Sequence, residues 1–496
     1  MHRFVFYPKE ARKAPLDLHG AHLVGTDGVP VRSEIQVRGA EIVCTPRTQD
    51  PVGLSLLWPV EGFGTIQLQT TRLPVREKPY HLHLELARHQ LMRISVKREE
   101  WGLYDYSGME AVAALIDEAR DAFIAAIQEA DDGPKAARLA DDALAKGLLA
   151  GEQMSRFHAA VFLARRQQGG GFSRPFLGVC ASAGLRNPAL ARQAASVFQF
   201  VRVPFVWRDI QPTELDQLYD PLDACIKTCV GAGLSVRGGP LLNFGVRSVP
   251  DWMYIWENDF EAIYEAAREH VERTVQRNAK SIASWIVVSG LHADNVFGSS
   301  FEQVMELTRM AAQITKQSAP RSQVLIDLTQ PWGEYYARNQ QTIPPLLYAD
   351  MVVQSGINFD GFGLQFLFGI GSDGFHLRDL FQVSAVIDRL ANLGKPIHLT
   401  AVGAPSQMPP GSPGEPTAGG EWYAPWSEDV QADWLTSLCE IALSKPYVES
   451  VCLQPLADSD DSVIAHGGLL RENNTPKPAF QRLLQLRERL VSGAET

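Results

Sequence analysis

The sequence predicts an α/β protein: a (β/α)8 TIM barrel over residues 172–496, preceded by a small β-rich, sandwich-like module over 1–107 and a helical spacer over 108–171. Three observations carry this. Past residue 172, short apolar runs alternate with amphipathic segments, eight of each over roughly 320 residues, the rhythm of a closed parallel barrel. Before residue 107 the runs alternate apolar with polar and are cut by Gly and Pro, as in a sandwich or small barrel. Between the two, apolar residues recur at three-to-four spacing, the mark of helices.

In the first zone, Thr65–Thr70 and His81–Leu86 each alternate apolar with polar, which reads as strand. His81 and His83 then share one face, as a metal pair or as two polar residues on a solvated side. In the second zone, Val112, Leu115, Ile116, Ala119, Phe123 and Ile127 form an apolar stripe. Asp132-Gly133-Pro134 breaks it, a second helix rich in Ala and Leu follows, and a third runs from Met154 to Arg166. Gly169-Gly170-Gly171 is a hinge or linker. Barrel strands are expected near Leu177, Phe200, Ser235, Trp285, Val324, Gly361, Ile397 and Ser450, with helices such as Phe260–Lys280, Phe301–Lys316 and Leu380–Leu393 between them. An open doubly wound sheet is the alternative. Ala181-Ser182-Ala183-Gly184-Leu185, after the first strand, lacks the glycine-rich phosphate turn such a sheet usually carries.

With 45% hydrophobic and 21% charged residues, the chain can bury large cores. Its net charge of −11 argues against nucleic acid or an anionic membrane as the main partner. No apolar run reaches a membrane-spanning length, and the N-terminus turns to charge and proline too early for a signal-peptide core. The expectation is a cytoplasmic protein with reduced thiols, no metal and no cofactor. Cys225 and Cys229, at i and i+4, read as helix packing residues or half of a metal site without a second half.

Several barrel segments, in order, resemble glycoside hydrolase family 10, the endo-1,4-β-xylanase family. They are Trp207–Pro212 after strand 2, Val236-Arg237-Gly238 with Val249–Trp252 after strand 3, and Trp285–Val288 on strand 4. Gly361–Gln365 on strand 6 and the closing Gly467–Leu470 with Pro476–Phe480 complete the set. The resemblance implies a retaining glycosidase, with an acid/base Glu ending strand 4 and a nucleophilic Glu ending strand 7, about 5–5.5 Å apart. The strand 4 position is Gly290 and the strand 7 position is Ala401. Neither can donate a proton or form a glycosyl ester. Loss of a general acid costs on the order of 10²- to 10⁴-fold, and loss of the nucleophile removes the covalent route. No Asp or Glu lies between Lys395 and Pro413. The sugar-binding positions implied by the resemblance fall on Arg202, Val203, Val206, Gly239, Phe244, Leu367 and Gln454, with Gln365 kept.

Displaced carboxylates are the remaining route to hydrolysis. Asp294 or Asp327 is the candidate acid and Asp458 the opposing group. Glu334 and Asp460 lie in comparable loops, Asp360 lies at the other rim, and His292 follows strand 4. All serve equally as loop caps and solvated charges. Trp252, Trp256, Trp332, Tyr335, Tyr336, Trp422, Tyr423 and Trp426 fall near strand-to-helix connections. They suit stacking on sugar rings, a protein interface or loop packing. Candidate ligand-binding residues are Trp207, Asn243, Gln365, Trp332, Gln454 and Trp422. Residues 404–426 form a Pro/Gly-rich loop, a lid or a surface insertion.

Three functions follow. One is a xylanase-like protein without xylanase activity that binds carbohydrate or another small ligand at the barrel mouth. Another is an active hydrolase of β-linked sugars using displaced carboxylates. A third is a non-catalytic scaffold, with a protein partner engaged through the β-rich module.

Overall fold

The computed structural model describes residues 1–7, 16, 18–408, 419–459 and 462–492. The first zone folds into two four-stranded sheets. Strands β1 (His2–Val5), β4 (Ser33–Arg38), β5 (Glu41–Pro46) and β8 (Tyr80–His81) form one, in the order β4-β5-β1-β8. Strands β2 (His22–Val24), β3 (Pro30–Val31), β6 (Gly53–Val60) and β7 (Gly64–Gln69) form the other, in the order β3-β2-β6-β7. Gly62, at φ +75°, turns the β6–β7 hairpin with a backbone that L side chains rarely adopt.

The structure corrects the reading of His81–Leu86. The chain enters helix α1 (Leu82–Glu100) directly after β8. The first turns of α1 are buried on all sides, so a six-residue alternation does not mark a half-solvated sheet face. The polar members are paired instead. His83 Nδ1 meets Asp141 at 2.7 Å while its Nε2 accepts the Tyr7 N–H at 3.1 Å, and Glu85 accepts from Thr71 Oγ1 at 3.0 Å. Helix α2 (Glu110–Gln128) follows. The next break also reads differently: Gly133–Gln168 is one 36-residue helix, α3. Asp132 caps it by accepting the Lys135 N–H at 3.1 Å, and Pro134 sits in its first turn, where its missing N–H costs nothing.

Residues 177–453 supply the eight parallel strands of a closed barrel. They are β9 (Leu177–Cys180), β10 (Phe200–Val203), β11 (Ser235–Gly238), β12 (Ser284–Ser289), β13 (Gln323–Leu328), β14 (Gly361–Leu367), β15 (Ile397–Gly403) and β16 (Val448–Leu453). The intervening and closing helices are α4 (Pro188–Val197), α5 (Trp207–Ile210), α6 (Asp220–Gly231), α7 (Phe260–Asn278), α8 (Phe301–Ser318), α9 (Pro345–Gln354), α10 (Leu380–Ala391), α11 (Glu428–Ser444) and α12 (Pro478–Ser492). Strands covered on both faces are rich in apolar residues, which makes them legible in the sequence. The six cysteines are unpaired and buried, Cys225 and Cys229 inside α6. No helix among the described residues is long and apolar enough to cross a membrane.

Helix α3 lies against the barrel instead of spanning a gap. Small residues let it approach: a methyl group at Gly151 would come within 3.0 Å of Phe381. Near its end, Arg166 Nη1 donates to the carbonyls of Leu443, Lys445 and Val448 at 2.9–3.0 Å. Midway, the buried Glu152 accepts from the Leu380 N–H (3.0 Å), Trp422 Nε1 (2.9 Å) and the Tyr423 hydroxyl (3.1 Å).

Burial, with Asp379 alongside, pushes the Glu152 carboxyl up to about 7. The folded chain therefore holds this proton more tightly than the unfolded chain, whose Glu titrates near ~4.3. Its contribution to stability is full below that pH and is lost as pH rises towards 7. Glu152→Gln keeps an acceptor for Leu380 and Trp422. It is expected to raise stability at about pH 8 by on the order of 1–3 kcal/mol and to change it little at about pH 4. Urea unfolding at the two pH values checks this.

Candidate functional site

The C-terminal ends of the strands, where barrel chemistry is housed, carry a polar floor with one apolar side. Gly290 follows β12 at φ +73°, and its carbonyl accepts the N–H groups of Ala293 and Asp294, both at 2.9 Å. A methyl group there would lie 3.4 Å from Thr329 Oγ1 and 3.9 Å from Asn243 Nδ2, so the position looks onto the β11 and β13 loops. Ala401 pairs in register with Gln365 of β14. It is buried with Leu367 and Ile464, against Ile370 and Phe375. The strand 7 side of the mouth is therefore apolar at that position.

The three displaced carboxylates have different surroundings. Asp327 lies within β13, 1% exposed. It accepts from Ser289 Oγ (2.7 Å) and Gln365 Nε2 on one oxygen and from Thr400 Oγ1 on the other. It is the hub of a hydrogen-bonded layer joining β12 to β15. Asp458 pairs with Lys477 Nζ at 2.7 Å and accepts the Gly468 N–H at 2.8 Å. Lys477 is itself buried and also donates to Ser406 Oγ at 2.8 Å. Asp294 is an exposed residue, yet desolvation of its carboxyl raises it above the ordinary range. A methyl group on Gly245 would come within 2.6 Å of Asp294 Oδ2 and 3.0 Å of Asn243 Oδ1, so Asn243 and Asp294 flank Gly245. Asp294 stands near Gly290, to whose carbonyl it gives its N–H.

Arg202 of β10 occupies the floor. Its Nη2 donates to Gln454 Oε1 and to Cys180 Sγ (3.1 Å), its Nη1 to the Gly239 carbonyl at 3.4 Å. No carboxylate among the described residues forms an ion pair with it. The neighbouring thiols stay protonated, as burial pushes Cys180 up and Cys452 up to about 12. Glu334 pairs with Arg378 and accepts the Gly374 N–H. His292 is buried against Tyr335 and Tyr348, and burial drives it down to about 3, so it is neutral. Asp360, at the opposite end, accepts from Lys316 and from the Val324 N–H. Asp460 and residues 409–418 of the proposed lid lie outside the described residues.

The tryptophans mostly turn inward. Trp207 is 2% exposed, stacked on His270 at 4.4 Å, with its N–H given to Gln211. Trp422 is buried on Glu152. Trp332 packs against Phe366 and Phe368, with the Arg378 guanidinium 4.4 Å from its ring centre. Of the eight aromatic residues expected near the rim, only Trp256 (37%) and Tyr423 (38%) are more than a third exposed. Gln365, Gln454 and Asn243 are partly exposed and polar. Sequence reasoning passed over the Arg202–Gln454–Cys180 cluster as a feature of the site. An arginine inside a four-residue buried strand, Phe200–Val203, was the available signal.

No group of three or more His, Cys, Asp or Glu suited to a metal ion occurs among the described residues. The site offers hydrogen-bonding amides, one cation and one loosely held acid.

No curated protein matches the chain. Solved structures similar to it include xylanase 10B from Thermotoga petrophila RKU-1 in complex with xylobiose. That match has 18% identity and a TM-score of 0.49 and covers 65% of this chain and 95% of that one. Native xylanase 10B from Thermotoga maritima matches at 17% identity and TM-score 0.49, over 64% and 97%. The family 10 protein of Paenibacillus barcinonensis matches at 18% and 0.49, over 63% and 95%. The family model for glycosyl hydrolase family 10 matches residues 204–486, more than half of the sequence. That match takes in six of the eight strands of the closed barrel, and the chain belongs to glycosyl hydrolase family 10.

Proposed function

We propose that this family member does not hydrolyse glycosidic bonds and uses its barrel mouth to bind a carbohydrate or another polar small ligand. The observation that carries the reading is Ala401, buried among Leu367 and Ile464 across the mouth from Gly290. Retention needs two carboxyl groups about 5–5.5 Å apart and inversion about 6.5–9.5 Å. Asp327 is committed to three hydrogen-bond donors, and Asp458 to two, the Gly468 N–H and the Lys477 ammonium on both its oxygens. Among the candidates in the described residues, that leaves Asp294. Binding needs less: Asn243, Gln365, Gln454 and Arg202 supply donors and acceptors for sugar hydroxyls.

One observation favours a second reading. Asp294 stands near Gly290 with its carboxyl raised by burial, as suits a general acid. Reducing-end release from xylan and β-linked oligosaccharides, over long incubations, separates the two. The expected result is no release by the wild type. Release that vanishes in Asp294→Asn would overturn the non-hydrolytic reading. Calorimetric titration with xylo-oligosaccharides tests binding, and Gln365→Ala and Asn243→Ala are each expected to weaken it by about 1 kcal/mol. Absence of both turnover and binding would leave the scaffold.

A further inference from the structure

A second cavity lies away from the barrel mouth, where the N-terminal module meets the barrel. It has a volume of about 280 Å³. Its walls come from the β2–β3 hairpin, α1, the loop after β13, the start of α9, and α10. Three of its lining residues carry nitrogen bases: His89 and Arg93 on α1, and Arg389 on α10. No Asp or Glu lines it among the described residues, although the chain as a whole carries a charge of −11. The remainder of the wall is largely apolar, with Trp332 and four prolines.

The cations are incompletely compensated. Arg93 donates through Nη1 to Gln90 Oε1 at 2.9 Å and stands 3.9 Å from Asp379, and its Nη2 has no hydrogen-bond partner. Asp379 is itself occupied by the Gln382 N–H (2.8 Å) and side-chain amide (2.6 Å). Arg389 gives Nη2 to the Asp27 carbonyl at 2.8 Å, and its Nη1 lies where a side chain on Gly28 would collide at 2.8 Å. Gly28 sits at φ +81°, so this position favours glycine and leaves the guanidinium room. Burial, together with the charges of Arg93 and Arg72, drives His89 down to about 3, so it is neutral.

We propose that this inter-module cavity binds a small organic anion, a carboxylate or phosphate ester on an apolar body, with Arg93 and Arg389 taking the charge and Trp332 and the prolines the body. The volume sits just under the ~300–1,000 Å³ of drug-sized sites, which limits the occupant to a small molecule. Because its walls come from both modules, an occupant would clamp the N-terminal sheet to α10. The proposal is independent of what the barrel mouth does.

The test uses the full chain and four probes: benzoate, phenyl phosphate, neutral benzamide and inorganic phosphate. Calorimetry is expected to show benzoate or phenyl phosphate binding at millimolar or lower concentration, with benzamide and inorganic phosphate at least about tenfold weaker. Arg389 is on the surface, so Arg389→Gln is expected to fold normally and to lose about tenfold in affinity for the anionic probe. Val386→Trp, which fills the cavity, should abolish binding while leaving the unliganded melting temperature within a few degrees. The His89 imidazole, followed by NMR, should titrate at higher pH when the anion is bound. Equal binding of benzamide, binding of inorganic phosphate alone, no binding of any probe, or unchanged affinity in Arg389→Gln would each overturn the proposal.

Discussion

Asp458→Ala is expected to lower the stability of the protein by about 3–5 kcal/mol, the cost of leaving one partner of a buried ion pair alone. Lys477 is 2% exposed and delivers its ammonium to Asp458 Oδ2 at 2.7 Å, Ser406 Oγ at 2.8 Å and the His466 carbonyl at 3.2 Å. The pair joins the segment after β16 to the strand of chain leading into α12 and to the start of the loop after β15, and so closes the seam between the last and earlier barrel units. Without the carboxylate, a buried charge loses the only counter-ion it has among the described residues, and the Gly468 N–H loses its acceptor. Urea unfolding would show the drop as a shift in midpoint at unchanged slope. The apolar double variant Asp458→Leu with Lys477→Met should recover much of the loss, because neither charge then remains to be solvated. A catalytic Asp458 would behave differently: its replacement would abolish sugar chemistry at near wild-type stability.

Arg378→Ala should be comparably costly, about 3–5 kcal/mol. Arg378 is 1% exposed and pairs with Glu334, which is 2% exposed. It also donates to Gln382 Oε1 at 3.1 Å and covers Trp332. The pair ties the loop after β13 to the segment entering α10. Burial alone would raise the Glu334 carboxyl. The Arg378 charge outweighs it and holds the carboxyl well below its usual range. A depressed carboxylate adds stability that is present above the unfolded-state value near ~4.3 and is lost as pH falls below it. The wild type should therefore weaken steeply below about pH 4, and the acid limb should be shallower in Arg378→Ala. Guanidinium or urea unfolding across that pH range measures both the loss and the slope. Glu152 acts with the opposite sign between about pH 4 and pH 7, so the two carboxyls together favour a mildly acidic maximum.

The lack of a carboxylate at the two positions implied by the resemblance is a matter of composition, and no folding supplies one. Gly290 and Ala401 have no ionisable atoms, and the stretch from Lys395 to Pro413 contains no Asp or Glu. The eight barrel strands were equally legible, because strands covered on both faces are rich in apolar residues. The roles of the ionisable and aromatic side chains were not. Asp327 takes hydrogen bonds from residues 38 and 73 positions away. The partner of Asp458 lies 19 residues on. Trp207 and Trp422 turned into packed interiors, and Leu82–Leu86 joined a helix because the rest of the module surrounds it. The second cavity brings α1 and α10 together across nearly 300 positions of chain. Local pattern reports which faces must be buried, since that depends on period and hydropathy. Which charge meets which, and which aromatic ring remains in water, depends on contacts between distant segments, and only the tertiary structure settles them.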